Sequence, residues 1–136
     1  MPDSVFADSN IWLYAFMEDK EKKAAASTII SKKTCVLSTQ VVNEVCVNLI
    51  SKAGYGEDDI AKLVENLYNK YQIENIDKHI ILKSSMVRSG FDISYWDSLI
   101  IASALESGCE VLYSEDMQHN QIIAGELKII NPFKRG

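Results

Sequence analysis

Residues 94–114, SYWDSLIIASALESGCEVLYS, hold the pattern that decides the fold. Leu99, Ile100, Ile101, Ala102, Ala104 and Leu105 put apolar groups on nearly every side of a helix. Only a helix packed all round tolerates that, so this one sits centrally. Ser94 is suited to cap it, and EVLYS (110–114) follows as a short strand.

The same alternation extends in both directions. Upstream, Asp77 caps KHIILKSSMVRSG, QIENI (72–76) is short and extended, and GEDDIAKLVENLYNKY is an amphipathic helix with acids at its positive N-terminal end. Thr39 is expected to cap TQVVNEVCVNLISKAG, with Gly54 as the residue that ends it. Val42, Val45, Cys46, Leu49, Ile50 and Ala53 form its predicted core stripe. CVLS (35–38) and VFA (5–7) read as strands, with IWLYAFM and EKKAAASTIIS as helices between them. Downstream, KIINP (128–132) is a last strand. Helices separate most strands and no Asn-Gly hairpin signal joins any two, which argues for a mostly parallel sheet. The expected architecture is a three-layer α/β/α sandwich.

The chain has 136 residues, 47% apolar and 24% charged, which suits one globular domain over 1–136. No stretch approaches the roughly 20 apolar residues of a membrane span, and MPDSVF lacks the basic region of a secretory signal. Cys35, Cys46 and Cys109 show no metal-type spacing and read as reduced core thiols. A cytoplasmic protein is expected. The net charge of −5 argues against a basic nucleic-acid-binding coat, unless some acids cluster on a cation.

In open parallel sheets, sites form outside the carboxyl ends of strands. Asp8 directly follows VFA, and Asp116 comes two residues after EVLYS. Glu44 lies early in the helix leaving CVLS, and Asp97 lies in the first turn of the buried helix. Parallel strands bring all four to one edge. Each also has a plainer reading: Asp8 as a turn or cap residue, Glu44 as a solvated glutamate, Asp97 as the acid of a capping box with Ser94, and Asp116 as a loop acid. It is the convergence that singles them out. Clustered carboxylates repel unless a cation is present or some take up protons. Oxygen donors without His or Cys suit Mg²⁺ or Mn²⁺, with Ser9, Asn10 and Ser114 as orienting polar groups. Such a site fits metal-assisted hydrolysis of a phosphodiester.

Four blocks carry a family resemblance: D-S-N after the first strand, a glutamate early in the third helix, S-Y-W-D-S-L-I, and L-Y-S-E-D-M-Q. Together they resemble the PIN-domain ribonucleases, closest to the toxins of bacterial VapBC toxin–antitoxin systems. The resemblance covers essentially the whole chain and implies metal-binding and catalytic roles for Asp8, Glu44, Asp97 and Asp116. It also implies supporting roles for Asn10 and Ser114, an RNA substrate, a homodimer and an antitoxin partner that lies over the acidic groove. Ser9 and Ser114 stand where threonine is common in the family, and both keep a hydroxyl.

The remaining candidates have plain roles. Glu115 is expected to point away from Asp116, His119 to be a solvated loop residue rather than a general base, and Trp96 to pack in the core rather than stack on a base. Arg88, Lys32, Lys33, Lys134 and Arg135 are candidates to meet phosphates, and KEKK (20–23) reads as an exposed helix start. The alternatives to a metal-dependent ribonuclease are an inactive binding subunit on the same scaffold, a DNA nuclease and a phosphoacceptor domain. The last wants paired acids at the first strand and a lysine after a later one, which VFADSN and EVLYSED lack.

Overall fold

The computed structural model describes residues 4–17, 20–32 and 34–134; Lys33 and Arg135 lie outside them. In chain order the elements are β1 (Val5–Ala7), α1 (Ser9–Phe16), α2 (Lys20–Ile30), β2 (Cys35–Ser38), α3 (Thr39–Ala53) and α4 (Glu57–Lys70). They continue with β3 (Gln72–Glu74), α5 (Lys78–Gly90), α6 (Tyr95–Glu106), β4 (Val111–Tyr113), β5 (Ile122–Ile123) and β6 (Leu127–Ile130).

The sheet runs β3-β2-β1-β4-β6-β5, and every neighbouring pair is parallel except β5 with β6. From β1 the chain steps outward to β2 and β3, then jumps back to β4 on the other side of β1. Right-handed crossovers place α1–α4 on one face and α5–α6 on the other. The packing agrees: α1 lies against α2 and α3, whereas α5 packs on α6, which rests on β2 and β4. The expected α/β sandwich with a mostly parallel sheet is the observed one.

The core is built from both faces. Phe6, Leu37, Leu112 and Ile129 are buried in the sheet, and residues 98–104 of α6 are buried without a break. On the opposite face Trp12 is fully buried, donates its indole N–H to the Ala7 carbonyl at 3.0 Å and meets Tyr71 edge-on. The Tyr71 hydroxyl in turn donates to the Ile30 carbonyl, fastening the end of α4 to the end of α2.

Several local expectations need correction. The cap of α3 is Ser38, whose Oγ accepts from Val41 N–H, not Thr39. Thr39 Oγ1 instead accepts from Ile76 N–H, holding the chain beyond β3 against α3. The buried stripe of α3 is Val41, Val42, Val45 and Leu49, while Ile50 and Ala53 are exposed and Cys46 is half-buried. The last strand is Leu127–Ile130, stopping before Asn131, and it pairs with β5 in a hairpin not expected from the sequence. That hairpin turns through Ala124 (φ 54) and Gly125 (φ 67), closed by Glu126 N–H on the Ile123 carbonyl. Left-handed values at both central residues are the geometry of hairpin turns, which Asn-Gly usually supplies.

Candidate active site at the sheet's switch point

The strand order reverses between β1 and β4, and ligands of open α/β sheets bind at such a reversal. Asp8 N–H donates to the Tyr113 carbonyl at 3.0 Å, so the chain just past β1 is held beside the end of β4. Asp8 is almost wholly buried and caps α1: its Oδ1 accepts from Ser9 N–H and its Oδ2 from the Ser114 hydroxyl, both at 2.8 Å. The Ser114 oxygen also accepts from Asp116 N–H at 3.3 Å. Asn10 bridges the other way, donating from Nδ2 to Asp116 Oδ2 and accepting Glu115 N–H at Oδ1, each at 3.2 Å. Asn10 and Ser114 thus hold the loop after β4 to the start of α1, while Ser9 contributes its backbone N–H to Asp8.

Glu44, on α3, and Asp97, in the first turn of α6, complete the group. Burial pushes the Asp8 carboxyl up to about 6, with the Ser114 and Ser9 hydrogen bonds working against it and the charges of Asp97 and Asp116 adding to it. Glu44 rises further, to about 7, first through burial and then through the charges of Asp8, Asp97 and Asp116. Asp97 is raised by burial, opposed by the Ser94 hydroxyl and reinforced by Asp116. Asp8, Glu44 and Asp97 each sense the charge of Asp116, yet among the described residues no three stand at the spacing of one ion's ligands.

The donor set nevertheless fits a hard divalent cation. It is all oxygen, its charge is uncompensated by any described ion pair, and Glu44 Oε1 is buried with no hydrogen-bond partner. A buried carboxylate oxygen left unsatisfied is costly, and a cation is the natural partner.

Clefts open on either side. One of about 470 Å³ runs from Asp116 past Asn10 and Tyr14 to Asn48 and Lys52. Another, of about 500 Å³, lies between α3 and α6 and has Glu44 and Trp96 in its wall.

Neighbouring residues are sorted by their partners. Glu115 turns from the acids to Tyr14 and Lys22, so Lys22 is a paired cation rather than part of a merely exposed helix start. His119 is half-buried rather than solvated, and its Nδ1 accepts Asn131 N–H at 2.9 Å, tying the β4 loop to the chain after β6. Arg88 donates to the Ser84 and Ser98 hydroxyls and stacks over the Tyr95 ring, bracing α5 to α6. Trp96 is 65% exposed, contrary to its expected place in the core. Gln40, not a candidate on sequence grounds, lies one turn before Glu44 with its own Oε1 buried and unpartnered. Its i, i+4 relation to Glu44 was the available signal.

The chain matches the PIN domain over residues 5–123 and belongs to that family, whose members are generally nucleases that use divalent metals. No curated protein sequence matches it significantly. Among solved structures it is similar to a toxin–antitoxin complex from Klebsiella pneumoniae (TM-score 0.72, 22% identity, covering 95% of this chain and 98% of that one). It is also similar to VapC20 of Mycobacterium tuberculosis, a sarcin–ricin loop cleaving toxin (TM-score 0.65, 15% identity, 80% and 87% covered). DNA-bound VapBC from Salmonella typhimurium is a third relative in fold (TM-score 0.65, 12% identity, 93% and 96% covered).

Proposed function

We propose that the protein is a Mg²⁺- or Mn²⁺-dependent endoribonuclease of the cytoplasm and the toxin of a toxin–antitoxin pair. The observation that carries this reading is the buried, unpartnered Glu44 Oε1, which feels the charges of Asp8, Asp97 and Asp116 at the switch point of a PIN fold. Asp8, Glu44, Asp97 and Asp116 would hold the ion. When bound, it supplies the Lewis acidity that makes water nucleophilic near neutral pH and offsets charge on the phosphate. The protein's own contribution is orientation: Ser114 and Ser9 fix both oxygens of Asp8, and Asn10 fixes Asp116. His119 does not stand free to act as base in this arrangement: its Nδ1 accepts Asn131 N–H, which leaves the ring proton on Nε2.

Partners follow from the same reading. The solved relatives include toxin–antitoxin complexes, and an antitoxin placing a cationic side chain among the acids would supply the charge they lack. Exposed apolar residues, Val47 and Ile50 on α3 and Leu82 and Met86 on α5, offer surface for that partner or for a homodimer.

Incubating purified protein with total RNA and with single- and double-stranded DNA, each with Mn²⁺, Mg²⁺ or EDTA, tests the proposal. RNA cleavage that EDTA stops, and that Asp8→Asn lowers by roughly 100-fold or more, is expected. Undiminished cleavage by a folded Asp8→Asn protein would remove Asp8 from the chemistry, and cleavage of DNA alone would make this a DNA nuclease. A folded wild type that cuts neither would favour the inactive-scaffold alternative.

A further inference from the structure

We infer that the cleft between α3 and α6 seats a nucleobase of single-stranded RNA next to the scissile phosphate, with Trp96 as its stacking platform and Gln40 as its hydrogen-bonding partner. The inference rests on the nuclease reading and adds a base-recognition subsite to it. The cleft is lined by Thr39, Gln40, Asn43, Ile76, Trp96 and Leu99, and Glu44 places it directly beside the candidate cation site. At about 500 Å³ it falls within the roughly 300–1,000 Å³ of small-ligand sites.

Its chemistry is that of a base site. Trp96 exposes 65% of its surface, so its ring is open to a ligand in the cleft. It is not loose: Tyr95 meets it edge-on at 5.2 Å, and the Arg88 guanidinium lies 4.5 Å over the Tyr95 ring. The Trp96 carbonyl also accepts from Gln40 Nε2 at 3.2 Å, joining the first turn of α6 to α3. A preset aromatic face costs little entropy on binding, and stacking is available to every base. Gln40 supplies discrimination. Its Nε2 is anchored, while its Oε1 is buried without a partner and can take a base N–H after a small turn of the amide. An unstacked base is required, so the cut lies in a loop or single strand.

Binding of short oligo(A), oligo(C) and oligo(U) to the full-length Asp8→Asn protein in Ca²⁺ tests this without turnover. Trp12 is fully buried, so quenching of tryptophan emission by a stacked base reports Trp96. Quenching is expected on binding. Trp96→Ala should weaken affinity by roughly 5- to 150-fold and Trp96→Phe by much less, while Gln40→Ala should even out the preference among the three RNAs. Because Trp96 is exposed, its variants should keep the wild-type circular dichroism. RNA binding and cleavage indifferent to Trp96→Ala would overturn the subsite alone. Loss of self-association as the sole effect of Trp96→Ala would overturn it too, and would make the cleft a protein interface. A wild type that neither binds nor cuts RNA would overturn the nuclease reading as well.

Discussion

The carboxylate of Asp8 caps a helix through one oxygen and meets Ser114 through the other, so the cap reading is correct and the same carboxylate also reaches the end of β4. The stretch VFADSN could not reveal this, because the second partner lies 106 residues away. Asn10 was legible for a related reason: its amide can face an acid and a backbone N–H at once, and it does. The unpartnered oxygen of Glu44 depends on burial and was not legible. Ser114→Ala is the sharpest probe at this scale. It removes the buried hydroxyl that lowers the Asp8 pKa, leaving an ionised carboxylate oxygen without its donor. In EDTA at pH 8 it should cost about 1–3 kcal/mol in urea unfolding, and less at pH 5, where Asp8 is mostly protonated; Ser114→Thr, which keeps the donor, should cost less. An equal loss at both pH values would show that the hydroxyl acts through packing.

Caps and periodicity placed most elements. Asp77 and Ser94 each accept the N–H three residues on, as their positions before amphipathic runs implied. Ser38 and Thr39 are adjacent hydroxyls, and serine is the somewhat stronger cap; β2 ends at the buried Ser38, which takes the cap. The buried stripe of α3 takes in Val41 and leaves out Ile50 and Ala53, with Cys46 half-buried. The β5–β6 hairpin escaped because its first turn residue is alanine, which seldom takes positive φ. That residue should carry strain. Ala124→Asn is expected to stabilise by up to ~1 kcal/mol, raising Tm by a few degrees, whereas Gly125→Ala should lower it. An Ala124→Asn protein no more stable than wild type would mean that the turn relaxes locally.

Across the whole molecule, the alternation of helices and strands was enough to specify a parallel sheet, and the jump from β3 back to β4 then fixed where its reversal lies. Convergence of distant acids is therefore a property of topology. The spacing between them is set by side-chain packing, which a sequence does not display. The net charge of −5 also finds a local expression here, in acids that repel until a cation or protons arrive. Asp8 and Glu44 have folded-state pKa values raised to about 6 and 7, from 3.8 and 4.5. Between those limits the folded state holds more protons than the unfolded chain, so stability falls as pH rises through the window. Divalent cations should reverse that fall by binding the folded state.

Thermal unfolding from pH 5 to 8, in EDTA and in Mn²⁺, for wild type, Asp8→Asn and Glu44→Gln, measures this directly. The wild type in EDTA should lose Tm as pH rises and recover it with Mn²⁺ at pH 8, and both variants should flatten the decline and blunt the recovery. A wild-type Tm that is level across this range and indifferent to Mn²⁺ would contradict a cation site built from these acids.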